Sequence, residues 1–290
     1  MKVSGFTIVR NAIKYDYPIV EAILSILPIV DEFIVSVGNS DDQTLNLIKS
    51  IPSEKIKIIE SVWNDELREG GKVLAIETNK AMDAISNDSD WAFYIQADEV
   101  IHEKFHPVIL DGLKKNLHYK EIDGLLFQYL HFYGSYKYIG NSRKWYRNEI
   151  RIVRNNKKIR SYKDAQGFRM ENQKLKVKLL DAYVYHYGWV KNPYHQQEKQ
   201  KSFHKMWHDD DWMKKNVSVA DEFDYTMIDS LENFSGTHPA VLHERLKKMN
   251  WNFEFNPKNR KLSAKDRLLV LIEKITGWRA GEYKNYKLIK

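Results

Sequence analysis

Short apolar runs alternate with stretches of helical periodicity over the first part of the chain. Three runs have the length and the β-branched content of strands, namely 3–9, 33–37 and 56–59. Between the first two, Pro18 stands at a favourable first helical position, and apolar residues recur at helical spacing until Pro28 ends the pattern. A longer helix is predicted from Gly71 to about Ile85.

A fourth apolar run, from Trp91 to Val100, ends in two adjacent carboxylates, Asp98 and Glu99. Such a run is typical of a fully buried strand in a parallel sheet. Ligands of open α/β sheets bind outside the carboxyl ends of the strands, so chemistry is expected at these two acids. The alternative is that the two acids merely begin a loop.

Strands that alternate with helices at this short interval predict βαβ units with right-handed crossovers. The expected fold is therefore α/β, with a mostly parallel central sheet and helices on both faces. The loops after strands one, two and four then meet at one edge, where a nucleotide is the usual ligand. Neither G-x-G-x-x-G nor G-x-x-x-x-G-K-[ST] occurs, which argues against a Rossmann dehydrogenase and a P-loop enzyme. An acid after the fourth strand suggests a divalent metal that bridges diphosphate oxygens.

Composition sets the broad class of protein. The 290 residues, 43% of them hydrophobic, are enough for a large core in one domain or in one domain with an appendage. The chain has no cysteine, which excludes disulfides and thiolate metal sites and fits a reducing compartment. No signal-peptide core follows Met1, and no apolar stretch approaches the length of a membrane span, so a cytoplasmic protein is expected.

The net charge of +7 is concentrated at the C-terminus. Residues 258–290 contain ten Lys or Arg and three Asp or Glu, and the rest of the chain is balanced. This distribution argues against a nucleic-acid groove across the protein and for a local anionic partner such as a membrane surface. Within this tail, Ser263 to Asp266 resembles a capping box, and an apolar stripe follows it. The stripe either docks on the body of the protein or lies on lipid.

Several of these segments together resemble the nucleotide-sugar glycosyltransferases of family 2, which have the GT-A fold. The order and the spacing of the segments match over roughly the first hundred residues. The resemblance is carried by Val9-Arg10-Asn11, by Asp31 to Val35 running into Asn39 to Thr44, by Gly71 and Asn79, and by Asp90-Trp91 through Glu99.

This resemblance implies a nucleoside diphosphate sugar as donor and a divalent cation, Mn²⁺ or Mg²⁺, as cofactor. It implies direct transfer with inversion to a hydroxyl of a glycan or lipid-linked acceptor, in the synthesis of cell-surface polysaccharide. The base is left open, since Val37-Gly38 stands where the family commonly has Asp residues. The residues implied to bind the nucleotide-sugar are Arg10, Asn11, Gly38, Asn39, Lys72, Asn79, Gln96 and Asp98.

The implied metal ligands are Asp98 and His186. The metal-binding motif of the family is usually Asp-x-Asp, and here Gln96 replaces its first acid, so metal binding is weakened by one carboxylate. His186 lies between aromatic residues and resembles the late histidine that completes the metal site in several GT-A enzymes. Such a histidine is as often a satisfied core residue, and it would partly replace the lost acid if it is a ligand.

A general base must take the proton of the acceptor hydroxyl. The candidate is Asp164, which lies at about the distance downstream where the family places its acceptor-side acid, and Glu99 is the reserve. The alternative for Asp164 is a solvated loop residue. The acceptor side is expected at about residues 125–190, which are rich in aromatic residues that either stack on sugar rings or simply pack a sheet. Four arginines of this region, which could meet phosphates, are Arg143, Arg147, Arg151 and Arg154.

One metal motif is misleading. Residues His102 to His106 satisfy H-E-x-x-H, but Pro107 disfavours a helix through His106 and is a better start for a helix over 108–117. A zinc protease is therefore not the expected function. His204 and His208 also have helical spacing, in a segment better interpreted as a charged, exposed helix.

The sequence therefore predicts three regions and two classes of function. Residues 1–190 are expected to form the GT-A nucleotide-sugar-binding and catalytic domain, 191–257 a helical excursion or lid, and 258–290 a basic amphipathic tail. The function is a metal-dependent inverting glycosyltransferase, or alternatively a non-catalytic nucleotide-sugar or glycan-binding module of the same fold. A nucleotidyltransferase is a weaker third possibility, because the chain after Arg10 is not a glycine-rich basic loop. The protein is expected in the cytoplasm, with the tail on the inner face of the cytoplasmic membrane.

Overall fold

A mixed β-sheet forms the centre of the computed structural model, which describes residues 1–217 and 220–289. Its main path has this spatial order: β13 (Leu231–Asn233), β7 (Ser135–Gly140), β6 (Gly124–Tyr133), β8 (Asn148–Arg154), β4 (Trp91–Tyr94), β1 (Val3–Val9), β2 (Glu32–Gly38) and β3 (Ile56–Ser61). The long strand β12 (Lys176–Trp189) branches from β6 and pairs with β5 (Glu99–Ile101) and β14 (Lys287–Leu288). A separate antiparallel sheet contains β9 (Ile159–Tyr162), β10 (Gly167–Met170) and β11 (Gln173–Lys174).

The first four strands in sequence order pair in parallel, as the βαβ pattern predicts. Val9, the last residue of β1, lies beside Val37 of β2, so the carboxyl ends of these strands are level. Beyond β4 the sheet becomes mixed, because β8 runs antiparallel to both β4 and β6, and β12 then joins β6 in parallel. The parallel half therefore presents one edge of strand ends, and the mixed half extends the sheet beside it.

Helices cover both faces of this sheet. They are α1 (Ile19–Ile26), α2 (Thr44–Lys49), α3 (Lys72–Asp83), α4 (His106–Asn116), α5 (Pro193–Lys205), α6 (Asp210–Asn216), α7 (His243–Lys247) and α8 (Ala264–Thr276). Side chains alternate along β2, so Phe33 and Val35 join a core with α1, α2 and α4, whereas Ile34 joins a core with α3 and the small sheet. The α/β prediction with helices on both faces is confirmed.

The fourth apolar run is not one strand, as the sequence predicts, but two. Strand β4 ends at Tyr94, and β5 begins at Glu99 and pairs with β12 in the opposite direction. A turn separates them, closed by the backbone bond from Glu99 N to Gln96 O at 3.1 Å. Residues on both sides of the turn are buried, so hydrophobicity alone does not distinguish a buried turn from a continuing strand.

The H-E-x-x-H residues do not share a helical face. Helix α4 begins at His106, two residues earlier than predicted, whereas His102 precedes it in an extended conformation. His102 Nε2 contacts Thr237 Oγ1 at 2.9 Å, and His106 Nε2 donates to Ser25 O at 2.7 Å. The two imidazoles are therefore bound to different parts of the chain.

The C-terminal tail is partly attached to the body of the protein. Ser263 Oγ accepts a hydrogen bond from Asp266 N at 3.1 Å, which confirms the predicted cap of α8. After the helix, Asn285 O accepts from Arg169 Nη1 at 2.7 Å, and β14 pairs with β12. Within the described residues, no helix has both the length and the apolar content needed to cross a lipid bilayer.

Candidate functional site

A cleft of about 850 Å³ opens where the parallel strands end. This volume is within the range typical of small-molecule sites. Its walls come from segments far apart in sequence: the loops after β1, β3 and β4, the turn between β9 and β10, the end of β12, and α5. Six residues predicted for the site line it, namely Arg10, Asn11, Gln96, Asp98, Asp164 and His186.

Asp98 is buried at the base of this cleft. Its Oδ2 accepts a hydrogen bond from Lys199 Nζ at 3.0 Å and lies 3.8 Å from His186 Nε2. Burial by itself would raise the pKa of Asp98, but nearby positive charge, above all that of Lys199, lowers that pKa well below its usual range. Asp98 is therefore a carboxylate throughout the physiological pH range.

His186 reaches Asp98 because of the pairing between β5 and β12. In that ladder His186 stands opposite Glu99, the residue after Asp98. Its Nδ1 lies 3.2 Å from Nδ1 of His131, whose Nε2 contacts the carbonyl oxygen of Tyr146 at 2.8 Å. A carbonyl only accepts, so His131 donates from Nε2, and its Nδ1 accepts from His186. Since burial lowers the pKa of both rings, His186 is neutral and its Nε2 lone pair is on the side of Asp98.

Gly188 keeps space open at the same corner. A Cβ atom on this residue would lie 2.7 Å from Asp98 Oδ2 and 2.7 Å from His186 Nε2. Its carbonyl oxygen accepts a second hydrogen bond from Lys199 Nζ, at 3.0 Å. Any larger residue here would displace the side chains that meet around Asp98.

The donor set around Asp98 does not fit the divalent cation that the sequence resemblance implies. Mg²⁺ and Mn²⁺ bind carboxylate oxygens together with water and phosphate oxygens, and here the protein offers one carboxylate and one imidazole. The amide of Gln96 contacts Ala165 O at 3.4 Å, and Lys199 already places a positive charge against the carboxylate. In the part of the chain that the structure describes, no group of three or more His, Cys, Asp or Glu side chains could hold a metal ion.

The loops after β1, β2 and β3 are tied together at the other end of the cleft. The Arg10 guanidinium forms a bidentate ion pair with Asp65, and its Nε donates to Asn39 O at 3.0 Å. Asn11 has a left-handed backbone, φ +55°, and its Oδ1 accepts from the backbone N–H of Asp41 at 2.7 Å. Trp63, whose ring lies 5.9 Å from the Arg10 guanidinium carbon, adds an aromatic surface to the wall.

Five residues predicted for the site do not line the cleft as the structure describes it, namely Gly38, Asn39, Lys72, Asn79 and Glu99. The first two position a wall residue instead. Gly38 leaves room for the indole of Trp63, which a Cβ would contact too closely, and Asn39 Oδ1 accepts from Trp63 N at 3.0 Å. Their role is therefore to hold Trp63 in the wall.

Lys72 and Asn79 lie on α3 and point away from the cleft. Lys72 pairs with Glu69 on the surface at 2.7 Å. The Asn79 amide instead accepts from the backbone N–H of Ser161 at 2.8 Å and so joins α3 to β9. Direct donor binding by these two residues is not supported by their positions.

Glu99, the reserve candidate for the general base, is wrongly placed for that role. It is fully buried and accepts two hydrogen bonds from Arg151, at 2.8 and 2.7 Å. Tyr129 donates a third at 2.8 Å. Because β5 begins at Glu99, its side chain points into the sheet rather than into the cleft.

Asp164 lies in the turn between β9 and β10 and faces the cleft. The turn is tight, with left-handed backbone at Lys163 (φ +53°) and Ala165 (φ +60°). Gly71 packs against it, and a Cβ there would lie 2.9 Å from the Asp164 Cβ. Burial raises the pKa of Asp164, which makes its carboxylate a stronger base than a solvated one.

Glu149 is a buried acid near the site that the sequence did not indicate. Burial raises its pKa to about 8, and the nearby carboxylates of Glu99 and Asp164 act in the same direction. Its Oε1 accepts from Gln166 Nε2 at 3.0 Å. Glu149 lines a second cavity of about 390 Å³, which shares Asp164, Gln166 and Tyr146 with the main cleft. Nothing in the alternating pattern of β8 distinguishes this residue from a surface acid.

The four arginines of the middle region are already bonded within the protein. Arg143 and Arg147 pair with Glu273 at 2.8 and 3.2 Å, and Arg151 pairs with Glu99. Arg154 donates to backbone carbonyls, among them Ile122 O at 3.1 Å. None of the four lines the main cleft as the structure describes it, so their expected contact with phosphates is not supported. Of the aromatic residues there, Tyr146 lines the cleft, whereas Phe127, Tyr129 and Tyr133 pack the cores.

No protein-family model and no curated protein sequence matches this chain. Solved structures do resemble it. TarS from S. aureus is 16% identical over 76% of this chain and 41% of that chain, with a TM-score of 0.41, and a structure of TarS 1-349 in complex with UDP gives the same identity and score. This chain thus corresponds to less than half of the length of TarS.

Two further structures resemble parts of the chain. The 4-diphosphocytidyl-2C-methyl-D-erythritol synthase of Anaerococcus prevotii is 12% identical over 66% of this chain and 89% of its own, with a TM-score of 0.38. Glucosyl-3-phosphoglycerate synthase from Mycobacterium tuberculosis, with Mn²⁺, UDP and phosphoglyceric acid, is 24% identical over 45% of this chain and 43% of its own, with a TM-score of 0.30. GT-A glycosyltransferases are among the structures that this chain resembles, as the sequence predicts, but no match bears on family 2. The function is inferred from the site itself.

Proposed function

We propose that this chain is a glycosyltransferase that moves a sugar from a nucleoside diphosphate sugar to a hydroxyl of a glycan or lipid-linked acceptor. One observation carries the proposal. A single cleft at the ends of the parallel strands brings together Asp98, His186, Asp164 and Arg10, which come from four separate segments. This is the edge of an open α/β sheet where nucleotides bind.

The chemistry of the leaving group requires positive charge in this cleft. As the bond between the sugar and the diphosphate breaks, negative charge develops on the diphosphate oxygen. A fixed positive group there stabilises the transition state more than the ground state. The residues that line the cleft and carry such charge are Arg10, Lys14, Arg68, Lys199, Lys201 and Lys205. Of these, Lys199 is the one whose hydrogen bond places it beside Asp98. Since the donor set at Asp98 does not fit a divalent cation, no step of the proposed reaction passes through a metal.

Asp164 is the proposed general base. Its carboxylate faces the cleft from the turn between β9 and β10, and its raised pKa suits the removal of a proton from an acceptor hydroxyl. The acceptor oxygen would attack the sugar from the face opposite the diphosphate, so that the configuration at the anomeric carbon is inverted. The acceptor would enter by way of the second cavity, which adjoins the cleft at Asp164.

The setting proposed for this activity is the synthesis of a cell-surface polysaccharide of the kind made by family 2 enzymes. The protein would work in the cytoplasm, with its tail on the anionic inner face of the membrane. The support is the basic composition of residues 258–290 together with the apolar side chains of α8 that are exposed.

A non-catalytic nucleotide-sugar or glycan-binding module is the second candidate. It is favoured by Gln96, which replaces an acid of the family motif, and by the pairing of Asp98 with Lys199 within the protein. A site of this kind can bind a donor without cleaving it.

Donor hydrolysis separates the two candidates. The protein is incubated with UDP-, GDP- and dTDP-sugars, each with EDTA, Mn²⁺ or Mg²⁺, and the released nucleoside diphosphate is measured. For the enzyme we expect slow release from one donor, and a rate about a hundredfold lower in Asp98→Ala. A donor that binds, as calorimetry detects, but stays intact even when mixed glycan and lipid-linked acceptors are added would favour the binding module.

A further inference from the structure

We propose that the ammonium group of Lys199 replaces the divalent cation as the positive group that binds the diphosphate of the donor. The inference rests on the proposed function and concerns the same cleft. It adds a residue of α5 to a site whose other predicted residues lie before position 190.

The position of Lys199 is set by two hydrogen bonds. Nζ donates to Asp98 Oδ2 and to the carbonyl oxygen of Gly188, both at 3.0 Å. An ammonium group has three protons to donate, so the bonds that the structure describes leave one for an anionic ligand. The side chain is mostly buried but lines the cleft, and Nζ lies 5.1 Å from the centre of the Tyr17 ring.

The single negative charge of Asp98 is balanced by one lysine and not by a divalent ion. A motif with two acids carries two negative charges, which a divalent cation neutralises. Here Gln96 has replaced the first acid, so Asp98 contributes one negative charge, and one ammonium group neutralises it. A divalent ion placed beside Asp98 would also be repelled by Lys199 at short range in a buried site. With Gln96 in place of the first acid and Lys199 in place of the cation, the positive and negative charges at this corner are therefore equal.

The position at which helix α5 begins determines where Lys199 lies. Asn192 caps its first turn by accepting from Tyr194 N at 3.0 Å, and Pro193 occupies the first turn. The helix therefore begins four residues after β12 ends at Trp189, which brings its second turn over the corner formed by Asp98 and Gly188. A second lysine, Lys191, is turned away from the cleft and donates to Tyr15 O at 2.7 Å.

The reaction that this arrangement supports is balanced without a metal. The bond between the anomeric carbon and the diphosphate oxygen breaks, and its electron pair stays on the diphosphate. The acceptor oxygen forms the new bond to the anomeric carbon, and its proton passes to Asp164. Lys199 keeps its own proton and donates a charge-assisted hydrogen bond to the departing oxygen.

Calorimetric titration of nucleoside diphosphates tests the inference. Wild type, Lys199→Met and Lys115→Met are titrated with UDP, CDP, GDP, ADP and dTDP, each in EDTA and in Mn²⁺. Lys115 is the matched control, since it is a lysine paired with an aspartate, Asp111, at 2.7 Å on the exposed surface of another helix. We expect one nucleotide to bind wild type in EDTA, with an affinity that Mn²⁺ changes less than about twofold. Lys199→Met should bind it at least about tenfold more weakly, and Lys115→Met like wild type.

A charge-balanced variant distinguishes a loss of nucleotide binding from a loss of folding. Lys199→Met leaves Asp98 buried without a partner, so the double variant Asp98→Asn/Lys199→Met, which removes both charges, is titrated beside it. It should unfold at a temperature close to that of wild type and still bind at least about tenfold more weakly. Wild-type affinity in the double variant would overturn the role of Lys199.

The remaining outcomes separate this inference from the proposed function. Nucleotide binding that disappears in EDTA and returns with Mn²⁺ would overturn the inference and leave the glycosyltransferase proposal standing. If no nucleotide binds in either condition, the proposed function fails, and the role of Lys199 fails with it.

Discussion

Two acids, the half-buried Asp164 and the buried Glu149, lie where the second cavity meets the main cleft. Burial raises the pKa of both, and the Asp164 carboxylate raises the pKa of Glu149 further. With a pKa of about 8, Glu149 is protonated at neutral pH. Since Glu149 already holds its proton at neutral pH, Asp164 is the acid of this pair that we propose as the base.

For Asp164→Asn we expect sugar transfer to an acceptor to fall about a hundredfold or more, while the affinity for nucleoside diphosphate stays within twofold, because the amide cannot accept the proton. The base works only when ionised, so the wild-type rate should fall as the pH is lowered through the pKa of Asp164, which lies above the ordinary value of 3.8. The acidic limb of the pH profile should be absent in the variant. A variant with unchanged kcat and the same acidic limb would exclude Asp164 as the base.

At the scale of single elements, α8 is held on the protein by one face only. Glu273 pairs with Arg143 and Arg147 at 2.8 and 3.2 Å, and this charged contact docks the helix. Three apolar side chains on the other side are turned outward, with Leu268 58%, Leu271 52% and Ile275 75% exposed. An exposed apolar stripe in a basic segment is the arrangement of a helix that lies on a membrane surface.

Sedimentation with lipid vesicles tests this role of α8. The wild-type chain should bind vesicles that contain phosphatidylglycerol, bind much less to pure phosphatidylcholine, and be released by high salt. Leu271→Glu/Ile275→Glu should bind at least about tenfold more weakly, since both side chains would leave the lipid and add negative charge. Met227→Glu, which changes an exposed apolar residue outside the tail, is the control. Equal sedimentation with both kinds of vesicle, or none with either, would contradict the membrane proposal.

At the scale of the whole molecule, one buried ion pair joins the half of the cleft that bears Asp98 to the half that bears Asp164. Arg151 of β8 donates to Glu99 of β5 at 2.8 and 2.7 Å, and also to the carbonyl oxygen of Gln166 in the turn that carries Asp164, at 2.9 Å. Tyr129 of β6 donates to Glu99 as well. This network fixes the β4–β5 turn that bears Asp98 relative to the turn that bears Asp164.

For Arg151→Met we expect a loss of about 3–5 kcal/mol in the free energy of unfolding, because Glu99 is left buried without its partner. The double variant Glu99→Gln/Arg151→Met should recover a large part of this loss. Arg160→Met, which breaks an exposed pair with Asp83, should cost less than about 1 kcal/mol. Urea denaturation measures all three. A loss in Arg151→Met no larger than that in Arg160→Met would show that the buried pair does not hold the two halves together.

The first hundred residues show how far local patterns reach. The strands and helices there follow from hydrophobic periodicity and from punctuation by Pro18, Pro28 and Gly71, since these signals act within one element. Asp98 is predicted as a site residue for a similar reason, because it is an acid at the end of a buried apolar run. The break between β4 and β5 does not follow, because buried turns and buried strands have the same composition.

Asp98, His186 and Asp164 are recognisable from residue type and order along the chain, and the α/β class follows from the alternation of strands and helices. Lys199 is not recognisable in this way. The buried side of α5 is polar, with Gln196 and Gln197 beside this lysine, so no apolar stripe marks it. Likewise, the ion pair between Glu99 and Arg151 depends on where the fold places β5 and β8. The sequence by itself determined which chemical groups are present and the local elements that carry them, whereas tertiary structure decided which charges meet, because ion pairing depends on distances across the fold.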